Sequence, residues 1–154
     1  MNNTLLEIGM KAPEFTLMGS DQKMHHLSDY LGKKVILYFY PKDNTPGCSR
    51  EAEDFRDAFQ HFSGQNTVIL GISRDSLTAH DKFITKYNLP FVLLSDSEEE
   101  VCNLYGVLKE KMMFGRKVFG IERSTFLINE EGILTKIYRI VKVPGHVEDI
   151  KCHL

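Results

Sequence analysis

Val35-Ile36-Leu37-Tyr38-Phe39-Tyr40-Pro41-Lys42-Asp43-Asn44-Thr45-Pro46-Gly47-Cys48 is an apolar run that stops at a proline, turns, and resumes with a cysteine. Its aromatic and branched opening predicts a buried strand. Pro41 ends that strand because it has no N–H to give a ladder. Asn44, Thr45, Pro46 and Gly47 are turn residues, and a helical pattern follows: Ala52, Phe55, Phe59 and Phe62 recur at spacings of three and four between charged residues. Pro46 suits the first helical position, with Thr45 or Asn44 as its cap. Cys48 therefore falls in the first turn of a helix that follows a buried strand. Free N–H groups and the helix dipole favour an anion there, and the thiolate is the form of cysteine that attacks. The competing reading is a small buried cysteine that only packs.

Outward from this stretch the chain alternates strands and helices. Ala12-Pro13-Glu14-Phe15-Thr16-Leu17 alternates over most of its length, as a half-buried strand does. His25 and His26 fall in a polar turn; with no further ligand at a useful spacing they read as hydrogen-bonding or surface histidines, not a metal site. Thr67 to Ser73 is a second buried strand. Ser76 can cap a helix whose apolar stripe is Leu77, His80, Phe83, Ile84 and Tyr87, which makes His80 a satisfied core or boundary histidine. Phe91 to Leu94 is a short strand. Ser95-Asp96-Ser97-Glu98 matches a capping box for a helix carrying Val101, Leu104 and Tyr105, with Cys102 beside that face. Lys109 to Lys117 is mostly basic, with Glu110 its single acid and Met112, Met113 and Phe114 in the middle, and reads as a solvated loop, with a mobile flap near the active site as the sharper alternative. Ser124 to Asn129 and Leu134 to Val141 form a hairpin about Glu130-Glu131-Gly132, and His146 to His153 is a last short helix. Crossover helices imply parallel strands covered on both faces, and the hairpin adds antiparallel ones. The expected fold is α/β and thioredoxin-like: a central mixed sheet with helices on both faces.

With 154 residues, one domain over 1–154 is the expectation, and it is long enough to bury a core. A net charge of −2 makes no electrostatic case for nucleic acid or an anionic membrane. No stretch approaches the roughly 20 apolar residues of a membrane helix. Met1 to Glu7 lacks the basic start and apolar core of a signal peptide. Three cysteines, an odd count, argue against a disulfide scaffold and for a reducing cytoplasm.

Pro41, Thr45 and Cys48 form P-x3-T-x2-C, and the string from Tyr40 to Cys48 resembles the active-site loop of peroxiredoxins, most of all the bacterioferritin-comigratory-protein (PrxQ) class. Gly120-Ile121-Glu122-Arg123-Ser124-Thr125-Phe126-Leu127-Ile128 resembles that class's arginine-bearing strand, and the likeness runs from about Gly9 to Gly145-His146. The resemblance implies the thioredoxin-like fold and a thiol-dependent peroxidase of antioxidant defence, reducing hydrogen peroxide and organic hydroperoxides through a Cys48 sulfenic acid. Arg123 is then the cation at the reacting atoms. Thr45 is placed to touch peroxide or thiolate, or simply to cap the helix. Gly47 and Cys48 offer backbone N–H groups, Pro41 shields the sulfur, and Glu51 could hold Arg123 or form a solvated ion pair.

The rival on this fold is a thiol–disulfide oxidoreductase, but the residues after Cys48 are Ser49, Arg50 and Glu51, so C-x-x-C is absent. The other rival is a non-catalytic redox-sensing module, against which the complete Pro41, Thr45, Cys48 and Arg123 set argues. A resolving cysteine five residues after Cys48, the common pattern of the class, is replaced by Glu53. Cys102 and Cys152 remain as candidates, and the expectation is a one-cysteine cycle served by thioredoxin or another thiol reductant. No cofactor or metal is implied, and a monomer or weak dimer is expected.

Overall fold

The computed structural model describes residues 5–154, so Met1 to Thr4 of the N-terminal reading lie outside the described residues. Strand β3 (Lys34–Phe39) is the spine, and Val35 to Phe39 are all buried. A strand buried on both faces belongs in the middle of a covered sheet. The sheet has seven strands in the order β2-β1-β5-β4-β3-β8-β9. These are β1 (Thr16–Gly19), β2 (Met24–His26), β4 (Thr67–Ser73), β5 (Val92–Ser95), β8 (Ser124–Ile128) and β9 (Leu134–Tyr138). β3, β4 and β5 run parallel, while β8 lies antiparallel to β3 with Phe39 opposite Ser124. The mixed α/β sheet is as expected.

Alternation along β3 sorts the core into two layers. Val35, Leu37 and Phe39 pack with Leu70, Ile72, Phe126 and the residues Val101, Cys102 and Tyr105 in and just after α4 (Glu100–Leu104). Ile36 and Tyr38 face the other way, onto Cys48 and Phe55 of α1 (Pro46–Asp57), Phe62 of α2 (Phe59–Ser63), Phe83 of α3 (Leu77–Tyr87) and Val147 and Ile150 of α5 (His146–Lys151). Gly71 on β4 is what admits Tyr38: a Cβ there would stand 3.0 Å from the Tyr38 ring and 2.7 Å from Leu93.

Several local expectations are corrected. The strand read over Ala12–Leu17 begins only at Thr16, because Pro13 cannot enter a ladder; Lys11 makes one bridge to Ile133 instead. His25 and His26 are not in a turn but in β2, opposite Leu17 and Thr16. Their polarity is absorbed by hydrogen bonds: His25 reaches Asp21 at 2.8 Å and the Tyr30 hydroxyl at 2.6 Å, and His26 the Thr16 hydroxyl at 2.7 Å. The helix after Cys48 is not continuous to Phe62, since Ala58 (φ −95°, ψ 1°) separates α1 from α2. α4 is not started by a Ser95–Glu98 box. The Asp96 carboxylate accepts from the N–H of Val101 at 3.2 Å and of Cys102 at 2.7 Å.

Lys109 to Lys117 is not a loop either. It is the body of a hairpin, β6 (Leu108–Met113) paired with β7 (Arg116–Ile121), separate from the main sheet. Phe114 and Gly115 both have positive φ (53° and 77°), as a two-residue turn matched to strand twist requires. Neither face of its outer part is buried, so the apolar alternation that announces a strand is missing. The ends are anchored: Ile121 is buried, and Arg123 follows two residues later at the C-terminal end of β3.

Candidate active site

β3 ends at Phe39, and the chain turns through Asp43 and Asn44 into α1. Asn44 takes φ 58°, a left-handed conformation that Asn tolerates. Thr45 occupies the cap position (φ −107°, ψ 155°) with Pro46 at the first helical place. Its hydroxyl does not cap. It donates to the Lys42 carbonyl at 2.8 Å. Ser49 N–H makes the first helical bond, to Thr45 O at 2.8 Å. The N–H groups of Gly47 and Cys48 precede that bond, in the stretch where a helix presents its donors.

Cys48 is buried and is a free thiol. Arg123, on the short link between β7 and β8, reaches it across the sheet end: Nη2 donates to Cys48 Sγ at 3.4 Å while Nη1 donates to Glu51 Oε1 at 2.7 Å. Gly47 permits this approach, because a Cβ on it would sit 3.2 Å from Nη2. The ion pair to Glu51 is not solvated, since Glu51 is fully buried and the Arg123 side chain keeps 15% of its exposure. Burial pushes the Glu51 carboxyl up to about 7, against the pull of Arg123. The reason lies in its second oxygen, for Glu51 Oε2 is buried with no hydrogen-bond partner among the described residues. The guanidinium also holds its proton more firmly than usual, because Glu51 and Cys48 outweigh its own desolvation.

The site therefore gathers Cys48, Gly47, Glu51 and Arg123, with Thr45 at the helix mouth and Pro41 half-buried where the strand ends. Tyr38 is a residue that the sequence reading left as a plain strand position. Its hydroxyl is buried without a hydrogen-bond partner among the described residues, and burial together with the charges of Glu51 and Cys48 keeps it protonated far above the ordinary phenol range. Its side of β3, shared with Ile36, was the available signal. The two resolving candidates stand apart. Cys102 is fully buried in the opposite layer of the core, and burial with the Asp96 carboxylate beside it pushes its thiol far up. Cys152 is exposed, just beyond α5.

A cysteine at a helix start, under a guanidinium that is itself held by a buried carboxylate, is an arrangement that can support attack by sulfur on a polarised oxygen. Residues 8–137 match the model of the AhpC/TSA family. The chain belongs to that family. The peroxiredoxin Bcp of Bacillus subtilis is 51% identical over 94% of this chain and 92% of its own. The structure of a PrxQ variant from Xylella fastidiosa is similar with a TM-score of 0.91 at 42% identity, covering 97% of this chain and 96% of that one. The bacterioferritin comigratory protein of Xanthomonas campestris, whose structures are described for its alkyl peroxide reduction activity, aligns with a TM-score of 0.86 at 41% identity, covering 90% and 88%. The protein is a peroxiredoxin with the thioredoxin-like fold, a thiol-dependent peroxidase that takes a peroxide and a thiol reductant.

Proposed function

We propose that Cys48 is the attacking thiol and that Arg123, Thr45, Gly47 and Pro41 form the peroxide site around it. The observation that carries this is the Arg123 fork, 3.4 Å from Cys48 Sγ on one arm and 2.7 Å from buried Glu51 on the other. The Cys48 thiolate attacks the terminal oxygen of a hydroperoxide. The S–O bond forms and the O–O bond breaks; sulfur loses two electrons, and the departing oxygen takes up a proton to leave as water or alcohol. Negative charge spreads over sulfur and both oxygens, toward Arg123 and the N–H groups of Gly47 and Cys48. Thr45 has its own proton on the Lys42 carbonyl. Its oxygen is left to accept the hydrogen of the incoming peroxide. Pro41 keeps water from the sulfur, and Glu51 fixes the guanidinium without touching substrate.

The substrates we assign are hydrogen peroxide and organic hydroperoxides, the second in keeping with the Xanthomonas relative. Two reducing equivalents then come from thioredoxin or another thiol, in the cytoplasm, to a monomer or weak dimer. No helix of the described residues is long and apolar enough to cross a membrane. Peroxide consumption with a thiol reductant tests the assignment. Cys48→Ser should abolish it while far-ultraviolet circular dichroism stays unchanged, and a variant that kept most of its activity would overturn the proposal.

A further inference from the structure

The loop between β3 and α1 is gripped from behind by buried side chains that the peroxide chemistry does not use. Asp43, five residues before Cys48, is buried. Its Oδ1 accepts from the Tyr40 hydroxyl at 2.5 Å, and its Oδ2 lies 2.7 Å from Nδ1 of His80 on α3. His80 is fully buried, and its Nε2 lies 3.0 Å from the Leu94 carbonyl oxygen. The Asp43 N–H donates to Asp75 Oδ2 at 2.8 Å, an oxygen that also takes the Ser73 hydroxyl at 2.7 Å. One residue on, the Asn44 side-chain oxygen accepts from Lys86 Nζ of the same helix at 3.0 Å.

The protons can be counted. A carbonyl oxygen only accepts, so Nε2 of His80 carries a hydrogen. Nδ1 faces a carboxylate oxygen, so a proton lies between them whichever atom owns it. The Asp43–His80 pair is thus uncharged as a whole, and the polar atoms of both side chains are satisfied in a site that excludes water. Such a connection sets geometry, because no weaker partner is at hand. What it fixes is the turn whose left-handed Asn44 leads into Thr45 and Cys48, and a conformation of that kind persists only where its surroundings impose it.

We propose that His80 is a positioning residue of the peroxidase: acting through Asp43, it holds the turn that presents Thr45, Gly47 and Cys48 to the peroxide. This rests on the assignment of Cys48 as the attacking thiol.

Two substitutions of His80 separate positioning from packing. The amide nitrogen of an Asn sits near the place of Nδ1, so His80→Asn keeps a donor to Asp43 and loses the bond to Leu94. The amide nitrogen of a Gln reaches the place of Nε2, so His80→Gln keeps Leu94 and loses Asp43. Each leaves one buried acceptor unpaired, a loss that a merely structural histidine would show in stability and not in the oxidation rate of the folded protein. Positioning predicts a split in the second-order rate constant of Cys48 oxidation, followed by stopped flow with one equivalent of hydrogen peroxide. His80→Asn should stay within about threefold of the parent, and His80→Gln should fall by about tenfold or more, as misplacement of reacting atoms does. Asp43 gives a second pair should either His80 variant fail to fold. Asp43→Asn can donate to Nδ1 of a neutral ring and still accept from Tyr40, so it should keep most of the rate; Asp43→Leu, of similar size, should lose about tenfold or more. Equal rates within the foldable pair would overturn the proposal. A parent protein in which peroxide did not oxidise Cys48 at all would instead overturn the assignment of the thiol.

Discussion

The Arg123 guanidinium meets Glu51 with one arm and Cys48 with the other, a planar two-nitrogen reach that the single nitrogen of a lysine does not reproduce. Arg123→Lys keeps the charge and loses the fork. The rate constant for Cys48 oxidation should fall by roughly 100-fold, the usual loss when a preorganised donor is removed; stopped-flow rates equal to the parent's would contradict this. Glu51 makes a separate statement about stability. Its carboxyl rises from an ordinary 4.5 to about 7 on folding, because burial of the unpaired Oε2 outweighs the attraction of Arg123. Between those values the folded chain holds a proton that the unfolded chain has released. Stability from this group is therefore greatest below pH 4.5, declines as pH rises through the window, and levels off above 7. The full decline is on the order of 3 kcal/mol. Glu51→Gln cannot titrate, so the difference in urea midpoint between the two proteins should drift in favour of the variant from pH 5 to about pH 8. A constant difference would mean that Glu51 titrates alike in both states.

Elements were legible where one face is buried and illegible where polar atoms find partners far off in sequence. β3, β4 and α3 carry an apolar period, and their expected and observed bounds agree within a residue or two. The β6–β7 hairpin has no buried outer face, so Lys109-Glu110-Lys111 looks like solvated loop; only the Phe114-Gly115 pair hints at its two-residue turn. α4 shows the opposite failure. The spacing Ser95 to Glu98 imitates a capping box, but the cap is Asp96, which reaches forward to the N–H groups of Val101 and Cys102. Asp96→Ala frees both donors at the start of a five-residue helix, at its buried residues Val101 and Cys102, and should cost about 1–2 kcal/mol in urea unfolding. Because α4 packs in the layer opposite Cys48, the same variant should keep the parent's rate of Cys48 oxidation. A stability change below about 0.5 kcal/mol, the range of ordinary surface substitutions, would mean that the cap is dispensable. Within the site, Thr45, Gly47, Cys48 and Glu51 lie close together in sequence and could be read together. Arg123 is 75 residues from Cys48 and was reachable only through the family resemblance, and no pattern could pair Asp43 with His80 across 37 residues.

At the scale of the whole molecule, the sheet decides how the oxidised sulfur can be reduced. Cys48 lies in the layer with Ile36, Tyr38 and Phe55, and Cys102 in the layer with Leu37, Phe39 and Tyr105. A sheet stands between them, and each packed layer adds about 10 Å, whereas a disulfide needs Cα atoms within about 7 Å. Cys102 is also a poor nucleophile, fully buried and with its thiol pushed far up by burial and by Asp96. Cys152 is on the right side of the sheet, since Val147 and Ile150 of the helix before it pack in the layer of Cys48. It is exposed, however, while Cys48 lies beneath Arg123 at the other end of α1 from the helix interruption at Ala58. A thiol arriving from another molecule needs none of these elements to separate. Reduced protein given one equivalent of peroxide should therefore carry a sulfenic acid on Cys48 that dimedone traps, with Cys102 and Cys152 still alkylatable, and turnover with a small thiol should survive both Cys102→Ser and Cys152→Ser. Peptide mapping that returned a stoichiometric Cys48–Cys152 disulfide within one chain would reject the one-cysteine cycle. It would also require the first turn of α1 to unwind or the end of α5 to leave its place in every turnover, because one thiol is buried and the other exposed.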